Sequence, residues 1–76
     1  MHTGMLWFDN STTTLQVKVQ KAIDYYHKKF GKYPNLCLVN PSFLGGEKSI
    51  KVGELDVRPY KSILRGHLWI GIEDEN

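Results

Sequence analysis

One segment of the sequence, residues 14–30, limits the folds open to this chain more than any other feature. Its apolar side chains recur at spacings of four, three, one, three and four residues, and they are Leu15, Val19, Ala22, Ile23, Tyr26 and Phe30. At about 100° per residue they form one stripe about 100° wide along a helix. Residues that cap helix N-termini fill positions 9–14, and Gly31 stands where a left-handed C-terminal cap belongs. We therefore predict one amphipathic helix, which must bury its stripe against a second layer.

Three apolar segments outside the helix have the pattern of short β-strands. Residues 5–8 form an apolar run before the helix, and Leu36–Val39 forms another after it. A short continuous apolar run is typical of a strand covered on both faces, so Leu36–Val39 is predicted to be the central strand. In residues 67–72 apolar side chains recur at every second position, as in a strand with one buried face, and we expect this strand to close the sheet.

The stretch between these strands is also predicted to be β-structure. Ile50 and Val52 share one phase of a period-two pattern, whereas Leu55 and Val57 share the other. Gly53 lies between the two pairs, where a β-bulge would absorb the change of phase.

The predicted fold is α+β, with one helix packed on a mixed, mostly antiparallel sheet of three to five strands in two layers. If the first strand lies beside Leu36–Val39, the two are parallel and the helix makes a right-handed crossover. Residues 1–76 are interpreted as a single small domain, and the acidic end, residues 73–76, is expected to be solvated and frayed. A chain of this length buries only about 60–65% of its unfolded surface, which favours self-association.

Composition and spacing argue against several classes of protein. Apolar runs stay far below the about 20 residues of a membrane-spanning helix, and no secretion signal is recognised, so we expect a cytoplasmic protein that does not bind membranes. The three histidines and the one cysteine are too far apart for the close ligand pairs of a zinc site. These residues are His2, His27, His67 and Cys37. We predict no metal and no cofactor.

No catalytic motif is recognised, so we expect a protein that is not an enzyme. Cys37 lies inside an apolar run, where burial raises the pKa of a thiol and blocks access to it. Glu54 and Asp56 share one predicted strand face, where such carboxylates usually keep a sheet edge soluble. The enzyme alternative needs a composite site at a subunit boundary, with His67 beside one of these two carboxylates.

One flank of the predicted helix is basic, which makes nucleic-acid binding an alternative function. Four lysines lie within about 100° of one another on a helical projection, with a tyrosine in their middle. The residues are Lys18, Lys21, Tyr25, Lys28 and Lys29. Lysines can contact phosphates, and a tyrosine can stack on an unpaired base. The formal charge of the chain is only +2, so such binding is expected to be weak and non-specific.

Aromatic side chains indicate the leading hypothesis, a protein-interaction module of unknown biological role. Aromatic residues make up 12% of the chain, more than one small helix can cover, so some are expected on the exposed face of the sheet. Tryptophan and tyrosine are enriched at the centres of protein interfaces. The candidate interface residues are Trp7, Tyr60 and Trp69, and the expected partner is a second copy of the chain or another protein.

A third alternative rests on a resemblance. After the helix, the sequence passes through the strand Leu36–Val39, Asn40-Pro41, the segment Leu55–Pro59 and an apolar strand between Gly66 and Gly71. This succession resembles a segment of the capsid subunits of tailed phages. The resemblance covers about half of the chain, and subunits of that family are several times longer. It implies a structural protein of a phage or of another mobile element.

Overall fold

One helix packs on a mixed five-stranded sheet in this protein, which confirms the predicted α+β class. The structure is a computed structural model, and it describes the backbone of residues 2–73 and the side chains of residues 4–73. In chain order the elements are β1 (His2–Phe8), α1 (Leu15–Phe30), β2 (Leu36–Val39), a 3₁₀ turn (Pro41–Phe43), β3 (Ile50–Val52), β4 (Leu55–Pro59) and β5 (His67–Glu73). Of the acidic end that is predicted to fray, residues 74–76 lie outside the described residues.

Caps fix both ends of α1, as the sequence predicts. Before the helix, the Thr14 hydroxyl accepts a hydrogen bond from the Val17 N–H at 3.3 Å. After the helix, Gly31 adopts a φ of 73°, and its N–H donates to the His27 carbonyl at 2.8 Å. α1 therefore covers Leu15–Phe30. No helix in the described part of the chain is long and apolar enough to cross a membrane.

The strand order of the sheet is β1-β5-β2-β4-β3. β5 pairs antiparallel with both β1 and β2, β2 pairs parallel with β4, and β3 pairs antiparallel with β4. β2 is central, as predicted, but the prediction that the last strand closes the sheet is wrong, because β5 lies between β1 and β2. An alternating apolar pattern identifies a strand with one buried face, and it carries no information about which strands flank it.

A two-residue turn, not a bulge, joins the two halves of the predicted β-stretch. Val52 and Leu55 are direct Cα partners, so Gly53 and Glu54 form the turn of a β-hairpin. Gly53 has a φ of 63°, the left-handed value that the first position of a type II′ turn requires. The predicted bulge at Gly53 is wrong. The two-residue turn pairs Val52 directly with Leu55, so the change of phase in the apolar pattern arises from the hairpin and needs no extra residue. Both apolar pairs of the hairpin consequently lie on one face of the sheet.

The hydrophobic core fills the space between α1 and one face of the sheet. Its most deeply buried side chains are Val19, Ala22, Tyr26, Cys37, Val39, Val57 and Ile70. Met5 and Trp7 of β1 pack against the margin of this core. Because side chains alternate along a strand, the opposite face of the sheet points away from α1, and no helix or second sheet in the described residues covers it. We call this uncovered side the outer face.

Candidate interaction surface

The outer face of the sheet carries a contiguous group of apolar side chains. β1, β5 and β2 are neighbours, and their register places Leu6 opposite Trp69 and Trp69 opposite Leu38. Phe8 continues the group along β1, and the segment after β4 adds two further side chains at its margin. We call this group the outer patch, and its residues are Leu6, Phe8, Leu38, Tyr60, Ile63 and Trp69.

The outer patch combines exposed side chains at the edge of the sheet with a hollow beside them. Leu6 and Phe8 are each 61% exposed, and Tyr60 is 51% exposed. The hollow has a volume of about 310 Å³ and is lined by Leu38, Tyr60, Ile63 and Trp69. Large apolar side chains as exposed as these gain free energy when a partner covers them.

The indole of Trp69 lies over Gly4 of β1, which is two residues before Leu6, the direct partner of Trp69. A Cβ atom on Gly4 would collide with Cζ2 of Trp69 and would lie 2.6 Å from the Ile70 carbonyl oxygen. Only a residue without a side chain leaves room for the ring at this point. Gly4 therefore allows the largest side chain of the outer patch to pack against the sheet.

Hydrogen bonds hold the segment after β4 beside the outer patch. The Tyr60 N–H donates to the Val39 carbonyl at 2.8 Å, and the Asn40 side-chain amide donates to the Ile63 carbonyl at 2.9 Å. The Asn40 Oδ1 also accepts from the Ser42 N–H at 3.0 Å. Since Val39 and Asn40 stand at the end of the central strand, Tyr60 and Ile63 have defined positions at the edge of the hollow.

Paired charges occupy the part of the outer face that the outer patch leaves free. The Arg58 guanidinium lies 3.4 Å from a carboxylate oxygen of Asp56 and 3.4 Å from one of Glu73. The Lys51 ammonium lies 3.3 Å from Asp56. Such partly exposed pairs contribute little to stability, but they neutralise one another. An apolar region bordered by balanced charge is the arrangement typical of protein interfaces.

The structure separates the three predicted interface residues. Tyr60 and Trp69 belong to the outer patch, whereas Trp7 faces α1, where its ring centroid lies 5.0 Å from that of Tyr25. Within the described residues, the Trp7 Nε1 is buried and has no hydrogen-bond partner. Trp7 therefore belongs to the margin of the core and shares no surface with the other two.

Leu6 and Phe8, the most exposed members of the outer patch, are not among the interface residues predicted from the sequence. The signal lies in the alternation of side chains along β1, since Met5 and Trp7 pack against the core and their neighbours must face the other side. Every position of residues 5–8 is apolar, so the sequence alone does not show which alternate pair faces α1.

The basic flank of α1 is shorter than predicted. Lys18 is only 8% exposed, and its ammonium lies 5.3 Å from the centroid of the Phe43 ring. Its aliphatic stem widens the buried stripe, and the cation lies over an aromatic face. The exposed members of the flank are Lys21, Tyr25, Lys28 and Lys29. No salt bridge among residues 4–73 includes these lysines, and the Lys29 ammonium lies 5.5 Å from the centroid of the Phe30 ring.

The histidine and the carboxylates of the enzyme alternative lie far apart within the described chain. Glu54 belongs to the hairpin turn and not to a strand face, and Asp56 is paired with cations. His67 lies at the other end of the sheet, where its ring centroid is 4.9 Å from that of Phe8. Among the described side chains, no group of three or more His, Cys, Asp or Glu residues is placed to hold a metal ion.

A second hollow, of about 490 Å³, lies between α1 and the β3–β4 hairpin. Two of its polar side chains serve the fold. The Asn35 amide donates to the Glu73 carbonyl at 3.3 Å and accepts from the Glu73 N–H at 2.7 Å. Gln20 donates to Asp24 at 3.1 Å. Because these groups are engaged in structural hydrogen bonds, we assign no function to this hollow.

Cys37 is expected not to react with thiol reagents in the folded protein. Its side chain is fully buried in the core, and burial raises the pKa of the thiol from 9.0 to about 12. At neutral pH the thiol is therefore both uncharged and inaccessible. A chromogenic disulfide reagent should label the protein only after guanidinium denaturation. Rapid labelling of native protein, with an unchanged circular dichroism spectrum, would contradict this placement.

The fold defines a small α+β protein, and its outer patch defines a candidate interaction surface. No protein-family model, no curated protein and no solved structure matches this chain. The resemblance to capsid subunits of tailed phages stays a prediction.

Proposed function

We propose that this protein is a non-catalytic interaction module that associates with a second copy of itself through the outer patch. The observation that carries the proposal is a sheet face that bears exposed apolar side chains and that no second layer covers within the described residues. Soluble monomers seldom expose a large contiguous apolar patch, and such patches usually mark interaction sites. Self-association would cover apolar surface that this short chain leaves exposed by itself.

The composition of the outer patch supports association. Leu6 and Phe8 are each 61% exposed in the single chain, so covering the remaining surface of one such side chain contributes about 1–2 kcal/mol. Tyr60 and Trp69 supply aromatic rings, which are enriched at the centres of interfaces. The bordering group of Lys51, Asp56, Arg58 and Glu73 carries no net charge, so it does not repel a second copy.

Replacing Phe8 by aspartate is expected to abolish self-association. The substitution puts a charge into the outer patch and leaves the core unchanged, because Phe8 is mostly exposed on the side away from α1. Sedimentation velocity at protein concentrations from about 1 to 500 µM should show a concentration-dependent dimer for the original protein and a monomer for Phe8→Asp.

Two exposed residues away from the outer patch provide matched controls for this experiment. Tyr33→Asp makes the same aromatic-to-acid change, and Lys21→Glu reverses a charge on α1, so both variants should keep the dimer. Phe8 is a better target than Trp69, whose removal would also uncover Gly4. A monomer at every concentration of the original protein would contradict the proposal.

Nucleic-acid binding along α1 is the alternative prediction, and it is supported by Lys21, Lys28 and Lys29 around the exposed Tyr25. Anisotropy of a labelled single-stranded oligonucleotide should then show binding that weakens between about 50 and 200 mM salt, with a slope equivalent to about three phosphate contacts. The double substitution Lys21→Glu and Lys28→Glu should abolish this binding. Unchanged affinity in the double variant, or no binding at low salt, would remove the alternative.

A further inference from the structure

β1 forms one edge of the sheet, and no strand within residues 2–73 pairs with its outer side, which we call the free side. The strand is seven residues long and pairs with β5 without interruption, from His2 opposite Glu73 to Phe8 opposite His67. Edge strands of soluble proteins are usually protected by charged residues, proline, a bulge or a short length. β1 has none of these features, since the sequence HTGMLWF contains no Lys, Arg, Asp, Glu or Pro and its register is unbroken.

The opposite edge of the sheet is protected. β3 has only three residues, Ile50–Val52, and its middle residue is Lys51. A short edge strand with a central lysine discourages pairing with another chain. Because the same sheet has one protected edge and one long unprotected edge, the unprotected edge is the one suited to pairing.

One hydrogen bond shows which backbone groups of β1 point to the free side of the strand. The Asp9 N–H donates to the Gly66 carbonyl at 2.8 Å, and these two residues continue the register of β1 and β5. In an antiparallel pair, alternate residues direct both their N–H and C=O groups to the same neighbour. Met5 and Trp7 alternate with the same period as Asp9, so their backbone N–H and C=O groups form hydrogen bonds with β5. The residues whose N–H and C=O groups point to the free side include Gly4, Leu6 and Phe8.

We propose that the free side of β1 pairs antiparallel with β1 of a second copy, so that the two sheets become one sheet of ten strands, five from each copy. This inference rests on the proposed self-association and adds its geometry. A two-fold axis at Leu6 places Leu6 opposite Leu6 of the second copy and Phe8 opposite Gly4 of the second copy. Gly4, Leu6 and Phe8 then exchange backbone hydrogen bonds across the junction.

Three features of β1 favour a second copy over a foreign strand. The strand contains no charged residue of the Lys, Arg, Asp or Glu type, so two identical strands do not repel each other. A two-fold axis perpendicular to the sheet makes the pair antiparallel and the contact self-complementary. In the register centred on Leu6, each Phe8 lies opposite the other Gly4, over which the Trp69 indole packs, so the Phe8 side chain is placed next to the edge of that indole. The outer patches of the two copies thereby join across the junction, with aromatic cross-strand contacts.

Amide hydrogen exchange measured by NMR tests the pairing without any substitution. The amides of Leu6 and Phe8 are expected to exchange at least about tenfold more slowly in the dimer than in the dilute monomer, whereas those of Met5 and Trp7 are protected in both. A dimer in which Leu6 and Phe8 exchange as in the monomer would overturn the edge pairing but leave association through the outer patch in place. If the protein is a monomer at every concentration, both the edge pairing and the association through the outer patch are overturned. This holds even if an added extended peptide protects the amides of Leu6 and Phe8.

A proline at position 6 provides an independent test. Because the Leu6 N–H points away from β5, Leu6→Pro removes a donor that the β1–β5 ladder does not use. Leu6→Ala is the matched control, since it shortens the side chain and keeps the N–H. The dissociation constant of the dimer should rise at least about tenfold more in Leu6→Pro than in Leu6→Ala. Equal dissociation constants for the two variants would overturn the pairing. If Leu6→Pro does not fold, the same comparison is made between Phe8→Pro and Phe8→Ala.

Discussion

Tyr26→Ala is expected to leave the protein largely unfolded at room temperature. Truncation of a buried aromatic ring usually lowers the free energy of unfolding by about 3–5 kcal/mol. A single core in a domain of this size supplies only about 3–5 kcal/mol in total. Far-ultraviolet circular dichroism during a urea titration should therefore show no folded baseline for this variant.

The reason for this large effect is the place of Tyr26 in the core. It is the largest of the fully buried side chains, with 1% exposure, and its ring centroid lies 4.6 Å from that of Phe30. Tyr25→Ala is the matched control, because this neighbouring ring is about half exposed, and it should cost less than about 1 kcal/mol. A Tyr26→Ala variant that unfolds at the same urea concentration as the original protein would contradict the packing of α1 on the sheet.

Gly4→Ala is expected to lower the free energy of unfolding by about 1–3 kcal/mol, the usual cost of forcing an extra group into a packed site. The new methyl group would collide with the Trp69 indole and would lie 2.6 Å from the Ile70 carbonyl oxygen. Displacement of the ring should also change the Trp69 fluorescence and reshape the hollow of the outer patch. Chemical denaturation followed by fluorescence measures both effects in one experiment.

A double substitution identifies the source of this cost. In a Trp69→Ala background the ring is absent, so Gly4→Ala should cost less than it does in the original protein. The rescue should be incomplete, because the Ile70 carbonyl oxygen still lies close to the added methyl group. Equal losses in the two backgrounds would show that the ring does not restrict position 4.

The helix and the central strand could be predicted from the sequence because neighbours in the chain decide both. The periodic stripe and the caps at Thr14 and Gly31 define α1 almost to the residue. Leu36–Val39 could be identified as the central strand from its continuous apolar run, although α1 covers only the face that carries Cys37 and Val39 and Leu38 lies on the outer face.

The strand order and most of the outer patch could not be predicted, because they depend on pairing between distant segments. Trp69 and Gly4 are neighbours only because β5 enters the sheet beside β1, and the periodicity of neither strand shows this. Lys18 lies at the border of the helical stripe, and its contact with the Phe43 ring, which a segment after β2 contributes, depends on the tertiary fold.

The order in which the strands are translated is unfavourable for folding of the sheet during synthesis. β5 is the last of the five strands to be made, yet it lies between β1 and β2. Until residues 67–73 emerge from the ribosome, β1 has no strand beside it and the central strand lacks one of its two neighbours. Incomplete chains expose unpaired edges of this kind to aggregation. The native sheet can therefore form only after residues 67–73 have been translated, and shorter products are expected to aggregate.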